Sequence, residues 1–132
     1  MIKDHLLGLI FELGRTMKQE IGEMPISFIQ YGTMNFVSER GDPTMKEVAN
    51  YLKIKAPSAT LVVEELANKK LLTRSADATD RRIIKLSLTK EGERMLNKIN
   101  DKRAKVMKSR FEKLSASERE HLAHILKTLI GR

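Results

Sequence analysis

Residues 44–92 read TMKEVANYLKIKAPSATLVVEELANKKLLTRSADATDRRIIKLSLTKEG, and this stretch decides the fold. It opens on Thr44-Met-Lys-Glu47, the pattern of a helix capping box. The Thr44 hydroxyl can take the backbone N–H at Glu47 while the Glu47 side chain reaches back to the N–H of Thr44. Met45, Val48, Ala49 and Leu52 then fall on one side of a short helix. Ile54 sits in a tight connection. A second helix starts near Pro57, whose missing N–H has no helical partner in a first turn. Val62, Val63, Leu66 and Ala67 give that helix a core face. Then the period changes. Leu71-Leu-Thr-Arg74 reads as a strand, residues 76–82 as a polar tip, and Ile84, Leu86 and Leu88 alternate with Lys85 and Ser87 as a half-buried strand. Two short helices followed by a hairpin with a charged tip make a winged helix-turn-helix.

Outward from this stretch the chain is helical. On the N-terminal side, Leu6, Ile10, Leu13, Met17 and Ile21 step by three and four and predict a helix over residues 2–21. Leu7, Phe11 and Gly14 lie beside that stripe. A helix apolar over more than one face needs two partners, a core on one side and another subunit on the other. Pro25 breaks the chain. A second helix follows over residues 26–38, with Phe28, Ile29, Met34, Phe36 and Val37 apolar, and residues 39–43 form a turn cluster. On the C-terminal side, Thr89 caps a long helix reaching Phe111, with Leu96, Ile99, Val106 and Met107 on a side that Arg103 interrupts. Ser115-x-x-Glu118 is a second capping box, opening a last helix with Leu122, Ile125, Leu126, Leu129 and Ile130. The expected fold class is mainly α with a small β-hairpin wing.

Bulk properties narrow the function classes. A net charge of +8 favours a polyanionic partner, either nucleic acid or an anionic membrane face. The apolar run at residues 6–13 is bracketed by Asp4, His5 and Glu12 and is too short to span a membrane, so no membrane partner is expected. With no cysteine there is neither a disulfide framework nor a thiolate zinc site, and a reducing cytoplasm is the natural compartment. No glycine-rich phosphate loop and no Ser/His/Asp or Cys/His set is present, so neither an enzyme nor a cofactor is expected. His121 and His124 share a face of the last helix, and with His5 they are either isolated surface groups, the default, or a metal site across a dimer. Met17, Met24 and Met34 either pack in the core or line an adaptable pocket.

The chain resembles the MarR family of bacterial and archaeal winged-helix repressors. The resemblance runs through Thr44-Met-Lys-Glu-Val-Ala-Asn-Tyr-Leu52, then residues 66–74, then Asp80-Arg-Arg-Ile-Ile-Lys-Leu-Ser-Leu-Thr-Lys-Glu-Gly92. Its specific part is the Asp80-x-Arg82 tip, the strand, and the Leu88-Thr89-x-x-Gly92 helix start. It implies a homodimer on double-stranded DNA, with a pseudo-palindromic operator and a small anionic or phenolic effector. The length of 132 residues suggests one domain over 1–132, and the resemblance implies that within it 26–89 read DNA while 1–22 and 90–132 build the dimer. Leu7, Phe11, Leu122, Ile125, Leu126 and Leu129 would meet the second copy.

The DNA-facing set expected on the helices is Thr44, Lys53, Lys55, Ser58, Thr60 and Leu61. On the wing it is Arg74, Asp80, Arg81 and Arg82. The resemblance places Arg82 in a minor groove, where negative potential is focused. Asp80 would pair with its guanidinium and hold it extended, and Arg81 would meet phosphate. Ser58 and Thr60 carry short hydroxyls suited to base edges or phosphates, although Ser58 also suits a simple helix start. Lys53 and Lys55 are either phosphate contacts or solvated lysines. The chain departs from the family pattern in three places. Leu61 stands where related chains often carry a polar or basic group; it touches a thymine methyl or it is core. Asn68-Lys-Lys-Leu71 lacks the usual glycine, and a left-handed lysine there would cost about 1 kcal/mol against glycine. The cysteine of redox-sensing members is missing. The rival reading is a winged helix that contacts protein or RNA and has no operator.

Overall fold

The computed structural model describes the backbone from Ile2 to Arg132, and side chains from His5 onward. The elements in order are α1 (Ile2–Ile21), α2 (Phe28–Arg40), α3 (Met45–Leu52), α4 (Ala56–Asn68), β1 (Leu72–Ala76), β2 (Ile84–Leu88), α5 (Lys90–Phe111) and α6 (Ala116–Ile130). They fall into two units. One is Met24–Ile99; the other joins the N-terminal segment to Glu23 with Asn100–Arg132. Helix α5 begins in the first unit and ends in the second. Among the described residues no helix is long and apolar enough to cross a membrane.

In the Met24–Ile99 unit, three capping groups set where helices begin. The Glu47 N–H donates to Thr44 Oγ1 at 3.1 Å and the Thr44 N–H to Glu47 Oε1 at 3.3 Å, the reciprocal pair expected. Thr89 Oγ1 accepts from the Gly92 N–H at 2.9 Å and starts α5. Helix α2 starts at Phe28, two residues later than residue 26, because Ser27 and Gln30 form a capping box of their own. Gln30 is buried, and its Nε2 also donates to Glu65 Oε2 at 2.9 Å, tying α2 to α4. The core behind these helices includes Met34, Val37, Val48, Val63, Leu66, Leu71, Leu86 and Leu96. Met34 therefore packs as core, and Met24 lies partly buried against it.

Strand β1 begins at Leu72, so Leu71 is not part of it. Leu71 instead closes α4. Its N–H donates to the Leu66 carbonyl and that of Lys70 to the Ala67 carbonyl, both at 2.9 Å. This is a Schellman ending with Lys70 left-handed at φ +62°. The lysine takes the conformation a glycine would take more cheaply. Lys53 does the same after α3, at φ +55°, with the Ile54 N–H bonded to the Ala49 carbonyl at 3.2 Å. The hairpin is antiparallel, with Leu72 opposite Leu88 and Arg74 opposite Leu86. An isolated bridge between Thr44 and Lys85 holds its second strand to the start of α3.

Gly92 explains the Leu88-Thr89-x-x-Gly92 signature. A Cβ built on it would lie 2.2 Å from the Leu71 carbonyl oxygen. The Thr89 N–H reaches the same carbonyl at 3.1 Å, and Thr89 Oγ1 donates to the Lys70 carbonyl at 2.7 Å. The first turn of α5 thus sits directly on the end of α4, and only glycine leaves room.

The other unit ties α5 to α1. Arg110 Nη1 donates to Thr16 Oγ1 at 3.0 Å and Nη2 pairs with Glu20. Arg119 Nη1 donates to the Leu114 carbonyl at 3.0 Å and the Phe111 carbonyl at 3.3 Å, satisfying carbonyls at the α5 C-terminus. Ser115 and Glu118 form the expected capping box of α6.

Candidate nucleic-acid interface

The start of α4 is open. Lys55 occupies its N-cap position and makes no side-chain cap, and Pro57 fills the first turn. Backbone N–H groups there stay available to an anionic oxygen, and the helix dipole favours one. Ala59, Val62, Val63 and Leu66 bury one side of α4. Ser58, Thr60 and Leu61 stand exposed. Thr60 Oγ1 donates to the Ala56 carbonyl at 3.0 Å, which leaves its oxygen free to accept. Leu61 is 56% exposed, so the core alternative for it is set aside. Lys53 and Lys55 are exposed beside the helix start. Thr44 is half-buried with its hydroxyl engaged in the α3 cap, where it fixes the first helix of the motif.

At the wing tip, Asp80 and Arg82 pair bidentately. Arg82 Nε lies 3.2 Å from Asp80 Oδ1 and Nη2 lies 3.3 Å from Oδ2. The Arg82 N–H adds a third bond to Oδ1 at 3.0 Å. The Arg82 side chain is 92% exposed all the same. Asp80 holds one edge of the guanidinium in solvent and leaves the rest of its donors unspent. Those bonds from Arg82, side chain first and backbone second, keep the Asp80 carboxyl below its ordinary range. Arg81 is exposed next to it, and Arg74 is exposed on β1.

Sequence reasoning missed Asp77, which builds the tip. Its Oδ2 accepts from Thr79 Oγ1 at 2.6 Å and from the N–H groups of Thr79 and Asp80 at 3.1 Å each. Its Oδ1 pairs with Lys85 Nζ at 3.0 Å, and the side chain is only 15% exposed. The Thr79 hydroxyl, then Lys85, then the backbone donors hold the Asp77 carboxyl far below the aspartate range. The Asp77 N–H donates to the Ile83 carbonyl at 2.8 Å and closes the turn. An aspartate accepting from N–H groups two and three residues on was the available signal.

In the other unit, Leu7, Phe11, Ile125, Leu126 and Leu129 are exposed and Leu122 is half-buried. Phe11 is 70% and Leu129 74% exposed. Leu6, Leu9, Ile10, Leu13 and Ile130 extend the same apolar surfaces. His5, His121 and His124 are exposed too, and among the described residues no cluster of His, Asp and Glu is placed to hold a metal ion.

The two-helix motif and wing have counterparts among known proteins. Residues 24–83, which contain α2, the two-helix motif and most of the wing, match the model of the MarR family. That segment is similar to the MarR family. Similarity continues beyond the matched segment. It is 29% identical over 124 residues to the HTH-type transcriptional regulator YpoP of Bacillus subtilis, covering 94% of this chain and 88% of that one. It is 26% identical over 120 residues to the HTH-type transcriptional repressor MdtR of Bacillus subtilis, covering 91% and 77%. The crystal structure of the YusO protein from Bacillus subtilis superposes with a TM-score of 0.77 at 26% identity, covering 98% of this chain and 92% of that one. These likenesses support a DNA-binding transcription regulator rather than an enzyme.

Proposed function

We propose that this chain is a regulator of the MarR type, a cytoplasmic homodimeric repressor that binds a pseudo-palindromic operator in double-stranded DNA. The observation that carries the operator reading is Arg82, pinned by Asp80 yet almost wholly in solvent at the tip of the wing. An ion pair this exposed adds little to fold stability, while it orients the guanidinium and leaves its remaining donors to solvent. The minor groove, with its focused negative potential, is the complementary surface. Ser58 and Thr60 on α4 would face the major groove while Lys53, Lys55, Arg74 and Arg81 meet phosphates.

The dimer reading rests on the exposed apolar residues of α1 and α6. An array that includes Leu7, Phe11, Ile125, Leu126 and Leu129 is far more than scattered surface hydrophobes and marks an interface. A symmetric pair would bring two reading units to two half-sites one or more helical turns apart. Repression is supported by the likeness to MdtR, and release by a small anionic or phenolic ligand follows from family resemblance. A DNA reader works where the chromosome is, hence the cytoplasm.

Selection of bound duplexes from fragmented genomic DNA tests the reading. An enriched motif with two-fold symmetry is expected. Arg82→Ala should weaken binding to the selected duplex by about ten- to a hundredfold and leave the dimer intact in light scattering. Unchanged affinity would remove Arg82 from the interface.

A further inference from the structure

We infer that Leu61 reads a thymine methyl group in the major groove and thereby fixes one base of each half-site. The inference rests on the operator reading above and adds what is read. Leu61 lies one turn after Pro57, so the two stack along one face of α4. That face points away from the buried side formed by Ala59, Val62, Val63 and Leu66. Ser58 and Thr60 flank it, exposed. Leu61 is thus the large apolar group in the middle of the recognition surface, 56% exposed.

An apolar side chain there makes no hydrogen bond to a base edge. The apolar feature a base pair offers in the major groove is the C5-methyl of thymine. Charge around Leu61 fits a duplex better than a protein partner. Lys53 and Lys55 precede the helix, and Arg81 and Arg82 are exposed on the wing of the same unit. Farther along α4 the surface turns acidic at Glu64 and Glu65, of which Glu65 is engaged by Gln30 at 2.9 Å. Phosphates are disfavoured there, which confines the approach to the first two turns, where Leu61 sits.

The test uses the full chain and its selected duplex. Each thymine is replaced in turn by deoxyuridine, which removes only the methyl group. At one thymine of each half-site the substitution should weaken binding about fourfold per methyl lost. Leu61→Ala should melt like the parent, since its side chain is exposed, and should bind the thymine and uracil duplexes equally. A methyl effect that persists undiminished in Leu61→Ala, or no sensitive thymine at all, overturns the inference while the operator reading stands. Failure to select any duplex overturns both.

Discussion

Lys53 and Lys70 hold the same left-handed conformation after successive helices, yet they answer to different demands. Each costs about 1 kcal/mol relative to glycine. Lys70 lies outside the proposed reading site, so Lys70→Gly should raise stability by about 0.5–1 kcal/mol with DNA affinity unchanged, as denaturant melts and operator titrations would show. Lys53→Gly should give a similar gain in stability but lose one phosphate contact, lowering the salt slope of binding by about one. A lysine kept at a strained position then trades stability for charge. At the end of α4 the missing glycine in Asn68-Lys-Lys-Leu71 pointed to a left-handed lysine and its cost, whereas nothing in the sequence pointed to Lys53. Which of two adjacent lysines takes the strained conformation depends on where Leu71 docks, and that is a matter of core packing. Leu61 shows the same limit: a leucine on α4 suits core or surface equally well by type, and only the buried side of the helix decides.

At the scale of elements, capping residues and alternation were legible because they act over three or four neighbours. Thr44 with Glu47, Ser115 with Glu118, and the Ile84–Leu88 strand needed no tertiary information. The late start of α2 was less plain, because Gln30 serves both as cap and as the buried partner of Glu65. The α4–α5 junction was recognised as a motif before its cause was visible. Gly92→Ala would force a Cβ to 2.2 Å from the Leu71 carbonyl oxygen, so the backbone must move. A loss of about 3 kcal/mol or more is expected in thermal or chemical unfolding, and a loss under 1 kcal/mol would mean the junction yields easily. The wing carries its own pH signature. Asp77 titrates lower in the folded hairpin than in the unfolded chain. Its contribution is therefore complete above the ordinary aspartate value of about 3.9 and lost as pH falls below it. Amide signals of Thr79 and Asp80 should stay unchanged from neutral pH down to about pH 4 and collapse in stronger acid. Loss of those signals near neutral pH would refute the role of Asp77.

For the whole molecule, the Met24–Ile99 unit has a buried core of its own, while the unit built from α1 and α6 exposes much of its apolar surface. The helical periodicity of α1 announced this, since apolar residues covered more than one face. What it could not announce is which side would meet a second copy. In the proposed complex, two copies present oriented wings and recognition helices to a specific duplex. The direct test is a pair of binding titrations at physiological salt, one with the genome-selected duplex and one with a scrambled duplex of equal length. Binding to the selected duplex should be tighter by at least about a thousandfold, with two chains bound per duplex. Equal affinity for the two duplexes would show a basic surface without an operator and would contradict the proposed complex.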